Sequence, residues 1–199
     1  AIHAGSYPDM SRSDFALLPA EDEGETSSII VKVARRLFQK KSNFQILSPR
    51  HAGDAGVTNL NEILRVTINP PAPGRAERNL AGSVVREGDR IMGVKNDYNH
   101  GVYNGDVGKV HRINHQTKEL DIHVFSEPGE PRQEIRYDLK KGSPPIRLAY
   151  AQTVHKSQGQ EYDVIVVPML KTFGWQLQRN LLYTAITRAK ERVNIVGEA

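Results

Sequence analysis

The chain has no cysteine among its 199 residues, which excludes disulfides and cysteine-based zinc sites. No apolar run approaches the roughly 20 residues that a membrane-spanning helix needs, and no signal-peptide pattern opens the chain. The expectation is a cytoplasmic protein with no membrane partner. Neither sign of charge dominates: 27 basic against 23 acidic residues leave +4, compatible with a polyanion partner and equally with many proteins that never meet one. A glycine-rich phosphate loop of the form G-x-x-x-x-G-K-[ST] is also missing. Gly108-Lys109 is followed by Val110 and lacks the glycine lead. The run Ala16 to Glu23 imitates a strand ending in metal-binding acids, but Pro19 interrupts the junction. These residues are therefore not expected to form a metal site. There is no internal repeat and no low-complexity tract. The chain opens on Ala1 rather than Met, and the expectation is a piece trimmed from a longer protein.

What is present is ordinary in bulk: 38% hydrophobic and 25% charged residues, enough for one good core plus a small second module. Both ends read as α/β. A strand is expected at Asp14–Leu18, then a helix from Thr26 to Lys40 whose Ile29, Ile30, Val33 and Leu37 recur at helical spacing. Acids before it and Arg35, Arg36, Lys40 and Lys41 towards its end suit the helix dipole. A buried strand follows at Phe44–Ser48. The next helix, Thr58 to Val66, is stopped by Asn69-Pro70-Pro71. From Ser83 to Ser143 short alternating segments separated by turn clusters take over, the pattern of a small antiparallel barrel. Then α/β resumes, with strands at 146–151, 163–168 and 192–196, a short helix near 153–158 and a longer one from 176 to 187. Five apolar strands with intervening helices imply a mostly parallel sheet covered on both faces. The expected division is 1–82, 83–145 and 146–199, the middle segment being an insert.

Two runs carry chemistry. The first is Gln152-Thr153-Val154-His155-Lys156-Ser157-Gln158-Gly159-Gln160-Glu161. Thr153 and Ser157 with His155 and Lys156 between them offer hydroxyl, imidazole and ammonium groups to a phosphate backbone. Gly159 admits close approach of a ligand to the backbone. Glu161 supplies an acceptor for a ribose hydroxyl. The same residues also read as a polar helix start, a glycine turn and a buried strand. The second run is Arg179 to Lys190. Leu181, Leu182, Ala185 and Ile186 form an apolar helical stripe, and Arg188 follows at the helix end. Its cation suits the dipole there; it equally suits a γ-phosphate across a cleft, where a planar, permanently charged fork stabilises phosphoryl transfer.

In this order and spacing, "AYAQTVHKSQGQEYDVIVVP" and "RNLLYTAITRAK" resemble motifs V and VI of superfamily 1 helicases, and more narrowly the RecD-like group. "LSPRHAGDAGVTNLNEILRVTINP", "GDRIMGVKNDYNHGVYNGDVGKV" and the opening "IHAGSYPD" are similar to the same group. The resemblance implies a second RecA-like motor domain, interrupted by a small barrel resembling a Src-homology-3 fold. It implies that Thr153 and His155 contact single-stranded DNA or couple it to the nucleotide, and that Gly159 and Glu161 approach ATP. Arg188 becomes the arginine finger. Ser48 and Arg50 fall in a motif assigned to DNA or coupling. Asn96, Tyr98, Asn104 and Asp106 match the insert's loop pattern, with Asn104 a DNA contact, although Asn104-Gly105-Asp106 also reads as a simple hairpin turn. ATP and magnesium are the implied cofactors, with the magnesium ligands in a first motor domain outside this sequence. Alone, these residues are expected not to hydrolyse ATP. Implied partners are single-stranded DNA, that first domain, and recombination or repair subunits. Two other readings stay open: a non-catalytic module binding nucleic acid or protein on a degenerate motor fold, and the helicase half of a conjugative relaxase.

Overall fold

The computed structural model describes residues 14–80, 82–127, 130–176 and 179–198. The resembling segment Ile2 to Asp9 lies outside the described residues. The chain divides into two compact units. One takes the residues through Ile68 and from Ala151 onward; the other is Asn69–Tyr150.

The first unit is built on a five-stranded sheet. Its strands are β1 (Phe15–Pro19), β2 (Phe44–Ser48), β10 (Ala151–Thr153), β11 (Tyr162–Met169) and β12 (Ala189–Gly197). They lie in the order β1-β12-β11-β2-β10, and every pairing is parallel. All five residues of β2 are buried, as are Val164 to Val167 of β11, which is what a parallel strand covered on both faces requires. Helix α1 (Glu23–Gln39) begins three residues before the expected Thr26. The Asp22 side chain accepts from Glu25 N at 2.7 Å, and the Glu25 carboxylate reaches back to Glu21 N at 2.8 Å. This reciprocal cap makes the acidic run part of the helix rather than its leader. Helix α2 spans Val57–Ile68. Together α1 and α2 supply buried Ile30, Ala34, Leu60 and Leu64, and α1 packs on β2, β11 and β12. Ile165 and Val167 point the other way, packing with Leu47, Val154 and Ala185 under helix α3 (Arg179–Ile186). The sheet is thus covered on both faces.

The edge strand β10 is bonded to β2 on one side only. On the other side Asn61 of α2 takes the place of a neighbouring strand: its Oδ1 accepts from Ala151 N and its Nδ2 donates to Ala151 O, both at 2.9 Å. A short 3-10 turn, Val154–Ser157, follows β10 and is pinned by Ser157 Oγ donating to Val154 O at 2.7 Å.

The second unit is antiparallel. A hairpin of β3 (Glu77–Leu80) and β4 (Ser83–Arg86) accompanies a five-stranded sheet. That sheet comprises β5 (Arg90–Gly93), β6 (Val107–Asn114), β7 (Glu119–Glu127), β8 (Glu130–Asp138) and β9 (Ile146–Leu148), in the order β8-β7-β6-β5-β9. Leu80, Val85, Ile91, Val110, Ile122 and Ile135 belong to one shared core. Buried Asp89 closes the unit. It accepts from Asn69 Nδ2 at 2.6 Å, Tyr150 OH at 2.8 Å and Arg86 N at 2.7 Å, so one carboxylate ties the unit's first residue to its last.

Two sequence expectations change here. The unit is wider than 83–145 at both ends, because β3 pairs with β4 and the residues on to Tyr150 close on Asp89. The expected strand 146–151 is two strands. Ile146–Leu148 pairs antiparallel with β5, whereas Ala151–Thr153 pairs parallel with β2.

Candidate functional site

The carboxyl ends of β2 and β10 carry the first group of candidate residues. Ser48 and Thr153 are register partners there. The Ser48 hydroxyl is fully buried and donates to Ala55 O at 2.8 Å, so it organises the loop after β2 rather than facing a ligand. Arg50 leaves the same loop. Its Nη1 lies 3.2 Å from Glu23 Oε1, and its guanidinium stands 5.5 Å above the Phe173 ring. Glu23 also accepts from Asp54 N at 3.0 Å and Thr172 Oγ1 at 3.3 Å, so it ties the loop after β2 to the segment after β11. Thr153 caps nothing with its side chain, and His155 stands exposed on the 3-10 turn. Both are available to a ligand.

The second group lies at the opposite, amino ends of β11 and β12. Gly159 has φ +81°, and a Cβ placed there would meet nothing within 4 Å, so its backbone is open to approach. Arg188 folds onto the same turn. Its Nη1 is 3.5 Å from Gln160 O and its Nη2 3.4 Å from Thr187 Oγ1, both at the long limit for hydrogen bonds. Its Nε is buried with no partner among the described residues. An arginine held by such weak contacts keeps donors free for an anion. Exposed Glu161 pairs with Lys190 at 3.5 Å. The structure therefore brings Gly159, Glu161 and Arg188 to one turn.

The two groups are joined by a residue the sequence reading passed over. Gln152, 2% exposed, donates from Nε2 to Gln160 Oε1 at 3.1 Å and to Tyr162 OH at 2.8 Å. It connects the strand that ends in Thr153 to the turn that Arg188 touches. Gln152 was legible only as one more polar residue in a polar run; no spacing marks its side chain as buried. Glu23 was hidden in the same way among the acids that open α1.

Asn104 belongs to the second unit. It is exposed, and its backbone N–H donates to Asn96 Oδ1 at 2.9 Å. Tyr98 and Tyr103 flank it, 77% and 48% exposed, their rings edge-to-face at 6.3 Å. Asp106 accepts from Tyr103 N at 3.0 Å and pairs with Arg132 at 2.8 Å, so the turn is braced while its aromatic faces stay in solvent.

A parallel sheet with helices on both faces, and a small antiparallel unit inserted into its sequence, is a RecA-like α/β fold with a β insert. Residues 60–124 match the family described as the ATP-dependent RecD-like DNA helicase SH3 domain, and residues 148–196 match the UvrD-like helicase C-terminal domain. The chain is 32% identical over 157 residues to the ATP-dependent RecD2 DNA helicase of Deinococcus radiodurans, covering 78% of this chain and 20% of that protein. It is 36% identical over 120 residues to the RecBCD enzyme subunit RecD of Mycobacterium tuberculosis, covering 55% and 18%. It thus spans about a fifth of the length of these relatives. Among solved structures, a Pif1 helicase studied for unwinding at forked double-stranded DNA superposes with a TM-score of 0.51 at 19% identity, covering 91% of this chain and 48% of that one. The Candida albicans Pif1 helicase gives 0.51 at 15% identity, covering 88% and 55%; at such identity these two report the fold alone. The chain belongs to the RecD-like helicases of superfamily 1.

Proposed function

We propose that this chain is the second motor domain of an ATP-dependent DNA helicase, supplying the arginine finger and part of the grip on single-stranded DNA. The observation that carries the reading is Arg188, half-buried beside Gly159, whose Nε has no partner, and whose other nitrogens make only long contacts, among the described residues. A half-buried guanidinium with donors only weakly engaged fits a phosphate group arriving at that turn. ATP, when bound, supplies the γ-phosphoryl group whose charge Arg188 would stabilise. Glu161 would accept from a ribose hydroxyl after releasing Lys190. Magnesium ligands fall to the domain carrying the phosphate loop, since Glu161 is the only carboxylate among the candidate nucleotide residues.

In the same reading Thr153 and His155 hold the DNA strand, with Arg50 beside them. Ser48 serves by shaping their loop. Gln152 passes displacement between the two groups, because a shift of Gln160 under Arg188 strains its bond to Gln152. Closure on ATP thereby moves the DNA contacts, and the family resemblance implies a 5′ to 3′ step. Asn104 and its neighbouring tyrosines would meet DNA from the insert. RecBCD-type subunits, by the name of the mycobacterial relative, are the partners to seek.

The test is Arg188→Ala in the intact protein. Single-strand-stimulated ATP hydrolysis should fall by about 10³–10⁵, the range for arginine fingers, while DNA binding persists. Near-normal turnover would remove the finger assignment. Robust hydrolysis by the isolated 199 residues, abolished by the same change, would show that the catalytic machinery is complete without another domain.

A further inference from the structure

Three neighbouring strands of the second unit bring His111, His123 and Glu134 together on the sheet's outer face. One ligand atom from each lies within 4.8 Å of the others. No spacing in the sequence announces the group, because each residue comes from a different strand.

The backbone shows how it is assembled. Val110 faces Ile122 and Arg112 faces Asp121, so β6 carries one residue more than β7 across that step, and the extra residue is His111. A bulge of this kind re-aims its side chain. Here it lays the His111 imidazole against that of His123, with ring centroids 4.3 Å apart and planes 18° from parallel. Gly108 holds the strands close beside them: a Cβ there would fall 2.4 Å from the His123 carbonyl oxygen. Glu134 stands directly across from His123 in register, its Oε2 3.6 Å from His123 Nε2. That gap exceeds hydrogen-bonding range, so the carboxylate and the imidazole face each other without closing. Arg136, a nearby competitor for Glu134, is taken by Asp121 at 2.7 Å.

We propose that His111, His123 and Glu134 form a binding site for a divalent transition-metal ion of the zinc class. Two imidazoles and one carboxylate are the donor set for such ions, whereas magnesium and calcium take oxygen ligands. Three protein ligands leave the remaining positions to water. The ion would clamp β6, β7 and β8 across the face of the sheet. This site is separate from the magnesium of ATP hydrolysis and stands or falls independently of the helicase reading.

Zn²⁺ titrated calorimetrically into the metal-free full chain, and Co²⁺ followed by its visible absorption, test the site. One equivalent should bind, and Zn²⁺ should raise the thermal midpoint, since a ligand that binds only the folded state stabilises it. His123→Gln and His111→Gln should each weaken binding by on the order of 10–100-fold. Glu134→Gln should weaken it as well, and at its exposed position keeps the test open if a histidine variant fails to fold. His115→Gln should leave binding unchanged. Absence of saturable binding by either metal, or binding that survives the joint loss of His111 and His123, would overturn the assignment.

Discussion

Asn61 is the most informative residue to replace in the first unit, because one side chain stands in for a missing strand. Asn61→Leu keeps the approximate volume and removes both hydrogen bonds to Ala151. Each bond contributes about 1 kcal/mol net, and each backbone group left dry and unpaired costs about 1–3 kcal/mol. The site is 7% exposed, so the groups begin almost dry, yet β10 is an edge strand that water reaches once it loosens. The loss should therefore settle at about 2–4 kcal/mol. With a urea slope of about 2 kcal/mol per molar, the middle of the range for small proteins, the unfolding midpoint should fall by about 1–2 M. Equilibrium urea unfolding followed by circular dichroism measures this directly. A loss below about 1 kcal/mol would refute the reasoning, because solvent would then serve the edge as well as Asn61 does.

Two further perturbations probe the second unit. Tyr150→Phe deletes the 2.8 Å bond to buried Asp89 and should cost about 1.5–3 kcal/mol by urea unfolding. Burial first, and the Asp89 charge next, push the Tyr150 phenol well above its ordinary value of 10.0. Its contribution is therefore complete below pH 10 and is lost as pH rises from there towards the folded value, so the cost of Tyr150→Phe should shrink in strong alkali; a constant cost would contradict this. At Asp97, burial alone would raise the carboxyl. The His100 hydrogen bond at 2.9 Å and the His100 charge outweigh it and hold the group below 3.8. That contribution is present above the ordinary aspartate range and lost as pH falls through the depressed value. The destabilisation caused by His100→Ala should accordingly shrink in acid, and a pH-independent loss would dismiss the pair.

Strand and helix periodicity carried most of the fold. Phe44–Ser48 is apolar enough to name itself as a buried strand, and it is one. The segment 146–151 misled because Ile146, Leu148 and Ala151 form one apolar run, while hydrogen bonding assigns its two ends to different sheets. Composition does not record which backbone a strand will meet. β3 and β4 were missed for a related reason: Glu77-Arg78-Asn79-Leu80 is mostly polar, and its pairing couples an Arg86–Glu77 contact at 2.7 Å to only two core residues, Leu80 and Val85. Motif order singles out Gly159, Glu161 and Arg188 in the sequence, and the structure folds Arg188 onto the turn that holds the other two; their role at a nucleotide is the proposal above. Ser48 was assigned to DNA contact or coupling; its hydroxyl is committed to Ala55, so any such part runs through the loop it shapes. Gln152 and the His111 group escaped because their meaning lies in side chains meeting across strands distant in sequence.

The order β1-β12-β11-β2-β10 has a consequence for how the molecule comes into being. Among the described residues β1 pairs with β12 alone, Phe15 against Val193, so the earliest described strand waits for the latest described one to be synthesised. The second unit, by contrast, joins β5 to β6, β6 to β7 and β7 to β8 through neighbours in sequence. Local pairings form fast and distant ones slowly. During translation the insert can therefore be structured while β1 still lacks its partner. In that interval a chaperone would find Phe15, Leu17 and Leu18 unpaired, and pairing with β12 then withdraws one backbone edge of that strand.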